Sequence, residues 1–449
     1  MSLQLKIENT PLYNALIKHK KLNATSFHTP GHKNSEMFAK KFFSELDFTE
    51  LPDTDSLYDS QGVIKQAEEL MSKVYGTKCT IFSAGGCTLC IQTMLKLVLP
   101  FGGKIVASRM IHKSAVNTMA LLNAKVEWVM PQFDNKTKCF LQVTAEDVEI
   151  ILQKNSDVKC VYITSPDYFG NIADIEEIAK ICHKRKVPLL VDNAHGAHLK
   201  FLPKDIHPIS LGADIVADSA HKTLPVLTGG ALLHIADEKY AKIAKQTMSI
   251  FGSTSPSYPI MASLDVCCAW LKKEGKKAYL KLEKDILKIK MVAKQKGILD
   301  CNDNVDPIRL VFNTAKIGLP GEVAAQIFRE NGVEPELSDN KRVVFIATPM
   351  NSLSDLKKLT QVMEKLPANS IIPEETQDFE VPVTKKSMHE AIFSESERVK
   401  SDESLGKISA ATVCACPPGI PILVPGEKIT EKSIKNLLYY GISLIDVIK

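Results

Sequence analysis

The strongest constraint on the fold is an alternation of short apolar runs with helical segments between residues 78 and 236. Short apolar runs predict buried strands, and apolar residues three or four apart predict helices that pack on them. Strands joined by crossover helices form a mostly parallel, doubly wound sheet. We therefore predict an α/β fold with a mostly parallel sheet of seven strands. The predicted strands are Cys79–Ser83, Lys104–Ser108, Lys125–Met130, Val158–Thr164, Val187–Val191, Ile215–Ala217 and Gly230–Ile235.

The rest of the chain predicts further units around this sheet. Two predicted strands and two predicted helices after residue 300 indicate a small α+β domain, and a polar segment at 367–383 reads as a linker. We expect an N-terminal arm at 1–30, a large domain at 31–265, a small α+β domain at 266–370, and a linker with a C-terminal α+β domain at 371–449. Elements predicted outside the sheet are the helices Asn9–Lys20, Ile260–Lys273, Pro320–Glu330 and Leu353–Leu366 and the strands Pro307–Ala315 and Lys341–Thr348.

Composition excludes several classes of function. The formal net charge is only +4 and the basic residues are dispersed, so we expect no nucleic-acid partner. The sequence has neither an apolar stretch of membrane-spanning length nor an N-terminal secretory pattern, so we expect no membrane association. The 11 cysteines lie within apolar segments, which is typical of free thiols in a reducing compartment. The protein is therefore expected to be cytoplasmic.

A lysine closely follows one of the predicted strands. Ligands of a doubly wound sheet bind at the carboxyl ends of its strands. The strand Ile215–Ala217 leads into Ser219, His221 and Lys222. An amine at that edge can bond to a carbonyl cofactor if its surroundings keep it nucleophilic. Taken alone, a loop lysine is more often simply exposed to solvent.

A carboxylate follows the preceding predicted strand, Val187–Val191. Asp192 comes directly after the apolar run Val187–Val191, where a buried charge is costly unless it meets a cation. The protonated nitrogen of a pyridine ring is such a cation, and the contact would keep the ring an electron acceptor. A helix N-cap or a metal ligand is the alternative, because His195 and His198 follow. Three such side chains without further clustering are weak evidence for zinc, and we expect no metal site.

Glycines and hydroxyl groups at two places suit a phosphate group. Gly85 and Gly86 join the strand Cys79–Ser83 to a helix, and N–H groups at a helix start bind phosphate. The hydroxyl-rich run Ser253–Ser257 precedes another predicted helix. A plain tight turn and an ordinary capped helix start are the simpler explanations of these two segments.

A histidine and a pair of cysteines also lie just after predicted strands. His112 follows the strand Lys104–Ser108, where an imidazole can stack on a flat ring or merely begin a helix. Cys87 and Cys90 form a Cys-x-x-Cys pair at a helix start, where a thiol pKa is lowered. We favour packing over a redox role for this pair, because nothing else is thioredoxin-like. Together, the turn, the histidine, the aspartate and the lysine predict a pyridoxal-5'-phosphate (PLP) site at the edge of the sheet.

At these positions the chain resembles the ornithine/lysine/arginine decarboxylase family, whose members are fold type I PLP enzymes similar to aspartate aminotransferase. The resemblance covers nearly the whole chain and is to the short forms, which lack an N-terminal receiver-like domain. The segments that carry it are Phe27–Lys33, Arg109–Ser114, Val191–His198, Asp218–Lys222, Ser253–Tyr258 and Pro417–Pro421 with Pro425–Glu427.

The resemblance implies a role for each site residue. Lys222 would bind PLP covalently, Asp192 would pair with the pyridine nitrogen, and His112 would stack on the ring. Ser253 and Thr254 would reach the phosphate of a neighbouring subunit, so we expect a homodimer or higher homo-oligomer with a shared active site. The implied catalytic residues are Lys222, His221 and Asp192. The implied cofactor-binding residues are Gly86, Cys87, Thr88, His112, Asp192, His195, Ser219, His221, Lys222, Ser253 and Thr254.

The implied reaction is decarboxylation of lysine, ornithine or arginine to an amine of the polyamine pathway. The distal positive charge of such a substrate asks for an acidic partner, for which Asp53, Asp55, Asp59 and Glu427 are candidates by family position. Another PLP reaction, such as transamination or elimination, is an alternative. A non-catalytic relative is a third reading, because the family's phosphate turn has Ser or Thr where this chain has Gly86 and Cys87.

Overall fold

The structure is a computed structural model that describes residues 25–27, 50, 54–134, 139–300, 305–370, 379–415 and 419–449. Several sequence predictions lie outside these residues and are not discussed further. They are the arm helix Asn9–Lys20, the acidic candidate Asp53, most of the segment Phe27–Lys33, and Pro417 and Pro418.

The secondary structure alternates along the chain much as predicted. The strands are, in chain order, β1 (Thr25–Ser26), β2 (Cys79–Ser83), β3 (Gly103–Ser108), β4 (Ala124–Val129), β5 (Phe133–Asp134), β6 (Cys139–Phe140), β7 (Val158–Thr164), β8 (Leu189–Asp192), β9 (Ile215–Asp218), β10 (Ala231–Ile235), β11 (Arg309–Asn313), β12 (Val333–Glu334), β13 (Leu337–Ser338), β14 (Arg342–Ile346), β15 (Ser396–Lys400), β16 (Val413–Cys414), β17 (Pro421–Leu423) and β18 (Leu444–Ile448).

The described α-helices connect these strands. They are α1 (Val63–Tyr75), α2 (Gly86–Val98), α3 (Lys113–Leu121), α4 (Ala145–Lys154), α5 (Ile175–Lys184), α6 (Ala220–Thr223), α7 (Glu238–Ala241), α8 (Ala244–Ser249), α9 (Tyr258–Trp270), α10 (Lys276–Gln295), α11 (Gly321–Glu330), α12 (Leu353–Glu364), α13 (Met388–Phe393) and α14 (Glu431–Tyr439). A π-helical turn, Leu271–Gly275, joins α9 to α10, and short 3-10 turns lie at Ala197–Phe201, Pro208–Leu211, Thr314–Ile317 and Ser401–Glu403.

The predicted seven-stranded sheet is present, in the order β2-β10-β9-β8-β7-β3-β4. All neighbours are parallel except β10, which runs antiparallel to both β2 and β9. Each predicted strand matches an observed one to within two residues at either end. The predicted α/β class with a mostly parallel sheet is therefore confirmed.

Both faces of this sheet are covered by helices. Successive residues of a strand point to opposite faces, so Ile105 packs in one hydrophobic cluster and Val106 in another. The same division separates Leu190 from Val191. Because both faces are buried, the strands read as continuous apolar runs rather than as alternating ones.

Local signals explain where several helices begin. Thr144 and Asp147 form a capping box at the start of α4. Asp174 caps α5 by accepting a hydrogen bond from the N–H of Glu177. His112 caps α3, because its side chain accepts a hydrogen bond from the N–H of Ser114. The last of these caps fixes a candidate site residue at the edge of the sheet.

A smaller antiparallel sheet follows the large one, with the order β11-β14-β13. The helices α11 and α12 and the strands β11 and β14 lie within the segments predicted for them. The long helix α10 was not predicted, because its many Lys and Glu residues hide the buried stripe formed by Leu282, Ile286, Ile289 and Ala293.

The C-terminal part has a small hydrophobic core of its own around β17, β18 and α14, made of Ile422, Leu423, Ile429, Leu437, Ile445 and Val447. In contrast, one continuous cluster extends from Phe27 to Leu366 and joins the large sheet to the smaller one. The domain boundaries at 30, 265 and 370 stay predictions. Within the described residues, no helix combines the length and hydrophobicity needed to cross a bilayer.

Candidate active site

A cavity of about 290 Å³ lies at the carboxyl edge of the seven-stranded sheet. Its walls are formed by segments that follow β2, β3, β7, β8 and β9, together with Gly419 from the C-terminal part. Ligand sites are expected at this edge of a doubly wound sheet. The predicted residues that line the cavity are Gly86, Cys87, Thr88, His112, Asp192, His195, Ser219, His221 and Lys222.

Lys222 lies in the short helix α6, immediately after β9. Its Nζ is 3.0 Å from Nε2 of His195. Burial lowers the pKa of the Lys222 amine, although the nearby Cys87 and Asp192 side chains act in the opposite direction. A lysine with a lowered pKa has a larger unprotonated fraction, which is the nucleophilic form.

Asp192 is the last residue of β8, and only 1% of its surface is exposed. The Tyr162 hydroxyl donates a hydrogen bond of 3.1 Å to Oδ2, and the Ala194 N–H donates one of 3.2 Å to Oδ1. Burial raises the pKa of the Asp192 carboxyl, although the charges of His112 and Lys222 oppose this rise. The carboxylate form is therefore costly here unless a cation is bound beside it.

The three cavity histidines differ in which nitrogen is free. His112 Nδ1 accepts the hydrogen bond from the Ser114 N–H, so its neutral ring carries the proton on Nε2. His221 Nδ1 lies 3.0 Å from the Gly230 carbonyl oxygen and must donate to it, which leaves Nε2 as an acceptor. Burial lowers the pKa of both rings. Burial therefore favours the neutral form of both rings.

The two ring nitrogens of His195 have different surroundings: Nε2 lies beside the Lys222 amine, and Nδ1 is buried. Burial and the charge of Lys222 lower the pKa of His195 well below its usual value. Its Nδ1 has no hydrogen-bond partner among the described residues. The ring lies 4.8 Å from that of Tyr168, between centroids. A buried polar atom without a partner is costly, and a bound ligand is one group that could supply the partner.

The helix α2 begins at the cavity wall. Gly86 has a φ of 69°, a left-handed conformation that favours glycine, and a Cβ at this position would meet nothing within 4 Å. The N-cap residue Gly85 provides no side-chain cap. The Gly86 N–H is already bonded to the Gly229 carbonyl oxygen at 2.8 Å, so the next amides, of Cys87 and Thr88, are those that suit an anion.

Among the described residues, five predicted site residues do not line the cavity, namely Asp55, Asp59, Ser253, Thr254 and Glu427. Ser253 and Thr254 are exposed, and so is Asp59. The Asp55 carboxylate instead accepts hydrogen bonds from four backbone N–H groups, those of Ser56, Gln61, Gly62 and Ile64, around the start of α1.

Glu427 is the fifth predicted residue that does not line the cavity. Its carboxylate is fully buried and bonded to Arg109 through two contacts of 2.8 Å. Like Asp55, Glu427 has its carboxylate bonded to groups of the protein itself and does not line the cavity. Neither carboxylate lines the cavity in this structure, and the substrate contact expected of each residue stays a prediction.

Sequence reasoning missed the segment that follows β7. Pro166, Asp167 and Tyr168 line the cavity, and the centroid of the Tyr168 ring is 5.9 Å from Nζ of Lys222. The Asp167 carboxylate accepts hydrogen bonds from the N–H groups of Phe169 and Asn171, and burial raises its pKa to about 6. The rule that identified Asp192 and Lys222 would also have found this segment, because β7 ends at the same edge.

A second group of titratable side chains lies close behind the cavity. His207, Asp218 and His234 are buried, and their potential ligand atoms lie within 4.8 Å of one another. Asp218 Oδ2 is 3.0 Å from His207 Nε2 and 3.1 Å from His234 Nε2. The Ile209 N–H donates to His207 Nδ1, so the proton of that ring is on Nε2 and faces Asp218. The facing atoms of these three side chains satisfy one another, and His198 Nε2 lies 3.0 Å from Asp306 Oδ1 in a separate buried pair.

Comparison with known proteins identifies the family. The profile described as "Orn/Lys/Arg decarboxylase, major domain" matches residues 10–299, and the profile for the C-terminal domain matches residues 374–443. An arginine decarboxylase of Bacillus subtilis (strain 168) is 32% identical over 460 residues, which cover 95% of this chain and 93% of that protein. The inducible lysine decarboxylase of Escherichia coli (strain K12) is 21% identical, and the match covers 94% of this chain and 75% of that one.

Solved structures agree on the fold. The lysine decarboxylase of Francisella novicida superimposes with a TM-score of 0.77 at 19% identity, over 98% of this chain and 81% of that one. The constitutive lysine decarboxylase of Escherichia coli gives a TM-score of 0.74 at 18% identity, over 98% and 82%. The relatives and the two profiles together match nearly the whole chain, as the resemblance of the motifs predicted. The chain therefore belongs to the Orn/Lys/Arg decarboxylase family.

Proposed function

We propose that this amino acid decarboxylase uses PLP bound to Lys222 and that arginine is its preferred substrate. The observation that carries the proposal is that Lys222 and Asp192 line the same cavity. The pKa of the Lys222 amine is lowered there, and the pKa of the buried Asp192 carboxyl is raised. The first group suits covalent attachment to an aldehyde. The second suits a cation that arrives with the ligand, such as a protonated pyridine nitrogen.

Other residues of the cavity fit the remaining parts of PLP. The uncapped start of α2 and the side chains of Ser219 and His221 suit the phosphate. Thr88 provides a hydroxyl beside this helix start, where the family has Ser or Thr earlier in the turn. His112 is held by its capping bond at the wall of the cavity, in a position that suits contact with a flat ring.

PLP, when bound, accepts the electron pair that remains when the carboxyl group leaves a substrate as CO2. The protein's own contribution begins with Asp192, whose negative charge would keep the pyridine nitrogen protonated. The apolar side chains of Ile91, Met110 and Ile111 line the same cavity, where they would help to exclude water once a substrate is bound. Lys222 is the group that can return a proton after CO2 has left, whereas Nε2 of His221, which is unprotonated in the neutral ring, can accept one.

The substrate preference rests on the relatives. The relatives that are 31% and 32% identical and named by activity are arginine decarboxylases of Bacillus and Halalkalibacterium species, whereas the lysine decarboxylases are 20% or 21% identical. Arginine is therefore the first substrate to test, with agmatine as its product in a pathway leading to polyamines.

The expected assembly and location also belong to this proposal. Ser253 and Thr254 are exposed, as residues that complete a neighbouring subunit's site would be in a single chain. We propose a homodimer or larger homo-oligomer in the cytoplasm. Sedimentation of the purified protein, together with mixing of Lys222→Ala and Ser253→Ala/Thr254→Ala subunits, tests whether the sites are shared.

The direct test is a substrate assay on purified protein reconstituted with PLP. Arginine, lysine and ornithine are supplied separately, and CO2 and the amine product are measured. We expect release of CO2 from arginine, which Lys222→Ala abolishes. The matched control is Lys204→Ala, which alters an exposed loop lysine and should leave the rate unchanged. CO2 release that persists in Lys222→Ala, or a keto acid product in place of an amine, would contradict the proposal.

A further inference from the structure

A fully buried ion pair between Arg109 and Glu427 crosses from the large sheet to the C-terminal part. Neither side chain has any exposed surface. Arg109 Nη1 and Nη2 donate to Oε1 and Oε2 of Glu427, each at 2.8 Å, and Nε donates to the Pro421 carbonyl oxygen at 3.2 Å. The Arg109 guanidinium also lies 4.9 Å from the centroid of the Trp128 ring. All three nitrogens of the guanidinium are therefore engaged.

Glu427 is fixed at its other side as well. Its Oε2 accepts a hydrogen bond of 2.8 Å from the Val424 N–H, and its carbonyl oxygen accepts one of 2.9 Å from the Ser409 N–H. Val424 itself packs in the hydrophobic cluster of the large sheet. The carboxylate thus connects the C-terminal backbone to the residue that directly follows β3.

The residues next to Arg109 form one wall of the cavity. Met110, Ile111 and His112 all line it, and the Ile111 N–H donates a hydrogen bond of 3.2 Å to the Gly419 carbonyl oxygen. Gly419 lines the same cavity, and a Cβ there would lie 3.1 Å from the Tyr168 ring. The contact between the two parts of the chain is therefore continuous with the cavity wall.

We propose that Glu427 is a positioning residue, which acts through Arg109 to hold the C-terminal part against the segment Arg109–His112 and thereby fixes His112 and Gly419 in the cavity wall. This inference rests on the proposed function only where activity is the readout. It also replaces the role in substrate binding that the sequence suggested for Glu427. A carboxylate that has no exposed surface and has both oxygens bonded inside the protein is not open to the distal cation of a substrate in the cavity.

Two variants separate the positioning role from a substrate contact. Glu427→Gln leaves the Arg109 cation buried without its carboxylate, which is the costly half of a broken pair. The double variant Arg109→Met/Glu427→Gln removes both charges and keeps an acceptor for the Val424 N–H. Removing both members of a buried pair is much better tolerated than removing one. A positioning role therefore predicts strong non-additivity, with the double variant closer to wild type than the single one.

Three readouts are measured on the full-length protein. In Glu427→Gln, hydrogen exchange of the peptide that contains Ile111 should become faster, the melting temperature should fall, and kcat/KM should fall on the order of 100-fold, because displaced site residues lose catalytic alignment. In the double variant, exchange and melting temperature should return towards wild type and most of the activity should recover.

The matched control is the exposed pair Arg398–Asp446, which is also bidentate, at 2.9 and 3.1 Å. Asp446→Asn should change none of the three readouts. The proposal is overturned if exchange at Ile111 is unaltered in Glu427→Gln, or if the double variant regains stability but stays as inactive as Glu427→Gln. The latter result would return Glu427 to a direct role in binding or catalysis. If the wild-type protein releases no CO2 from any of the substrates, the proposed function fails, and the exchange and melting readouts still decide the positioning role.

Discussion

Asp192 and Asp218 are the last residues of the neighbouring parallel strands β8 and β9, and both are almost completely buried. Asp218 lies between His207 and His234, and the Asn193 amide donates a further hydrogen bond to it at 2.6 Å. Burial alone would raise its pKa, but the two histidines hold the pKa of Asp218 well below its usual range. The pKa of Asp192, in contrast, is raised by burial.

The difference between the two carboxylates distinguishes a structural group from a functional one. The protein satisfies Asp218 with its own donors, so this residue stabilises the fold and does not depend on a ligand. Asp192 accepts hydrogen bonds from the Tyr162 hydroxyl, the Ala194 N–H and, at 3.9 Å, the Cys87 thiol, and it lines the cavity. Perturbed carboxylates in clefts are candidates for functional sites for this reason. Each prediction below tests this contrast.

The largest expected effect concerns activity. Asp192→Asn should lower kcat/KM by about 1000-fold, because the amide cannot hold a positive charge on the cofactor's ring nitrogen. The same variant should not lower the free energy of unfolding of the cofactor-free protein, since it replaces a charge that burial disfavours. Steady-state assays and urea titration measure the two quantities. A large loss of stability with little loss of activity would reverse the assignment of the two aspartates.

The second effect concerns stability. Asp218→Asn should lower the free energy of unfolding by about 3 kcal/mol, because it breaks a buried, hydrogen-bonded network and leaves two histidines without their carboxylate. Urea unfolding of the cofactor-free protein measures it. At a temperature where this variant remains folded, its kcat/KM should fall far less than that of Asp192→Asn. If Asp218→Asn is as stable as wild type, the network around His207 and His234 is not a structural anchor.

The pH dependence of stability should have opposite signs at the two residues. The pKa of Asp218 is lower in the folded state, so its stabilisation is present above the unfolded value of about 4 and is lost as the pH falls. The pKa of Asp192 is higher in the folded state, so its ionisation destabilises the protein as the pH rises from about 4 through the folded value. Unfolding free energies of wild type minus each Asn variant, measured across pH in cofactor-free protein, should therefore slope in opposite directions.

The smallest effect isolates the hydrogen bond that orients Asp192. Tyr162→Phe removes one neutral donor to a charged acceptor, worth about 1.4 kcal/mol, and should lower kcat/KM roughly tenfold. The matched control is Tyr75→Phe, which deletes another buried hydroxyl, bonded at 3.0 Å to the Ala197 carbonyl oxygen. The control should lose stability without losing activity. Equal activity losses in both variants would mean that the hydroxyl of Tyr162 has no specific role.

The strands of the large sheet and about half of the residues that line the cavity could be predicted, because both follow from the local sequence pattern. Continuous apolar runs marked the strands, and the residues directly after them marked the cavity, which is how Asp192 and Lys222 were found. The internal bonds of Glu427 and Asp55 could not be predicted, because their partners cannot be read from spacing. The cation opposite Glu427 is 318 residues away, and Asp55 binds backbone N–H groups that carry no sequence signal.

The account depends most directly on which amine binds the cofactor. Purified protein is incubated with PLP, reduced with sodium borohydride to fix any aldehyde bound to an amine, digested, and mapped by mass spectrometry. We predict a single stoichiometric adduct on the peptide that contains Lys222, and none there after incubation of Lys222→Ala. An adduct on another lysine at full stoichiometry, or no adduct in a protein that still releases CO2, would contradict the account.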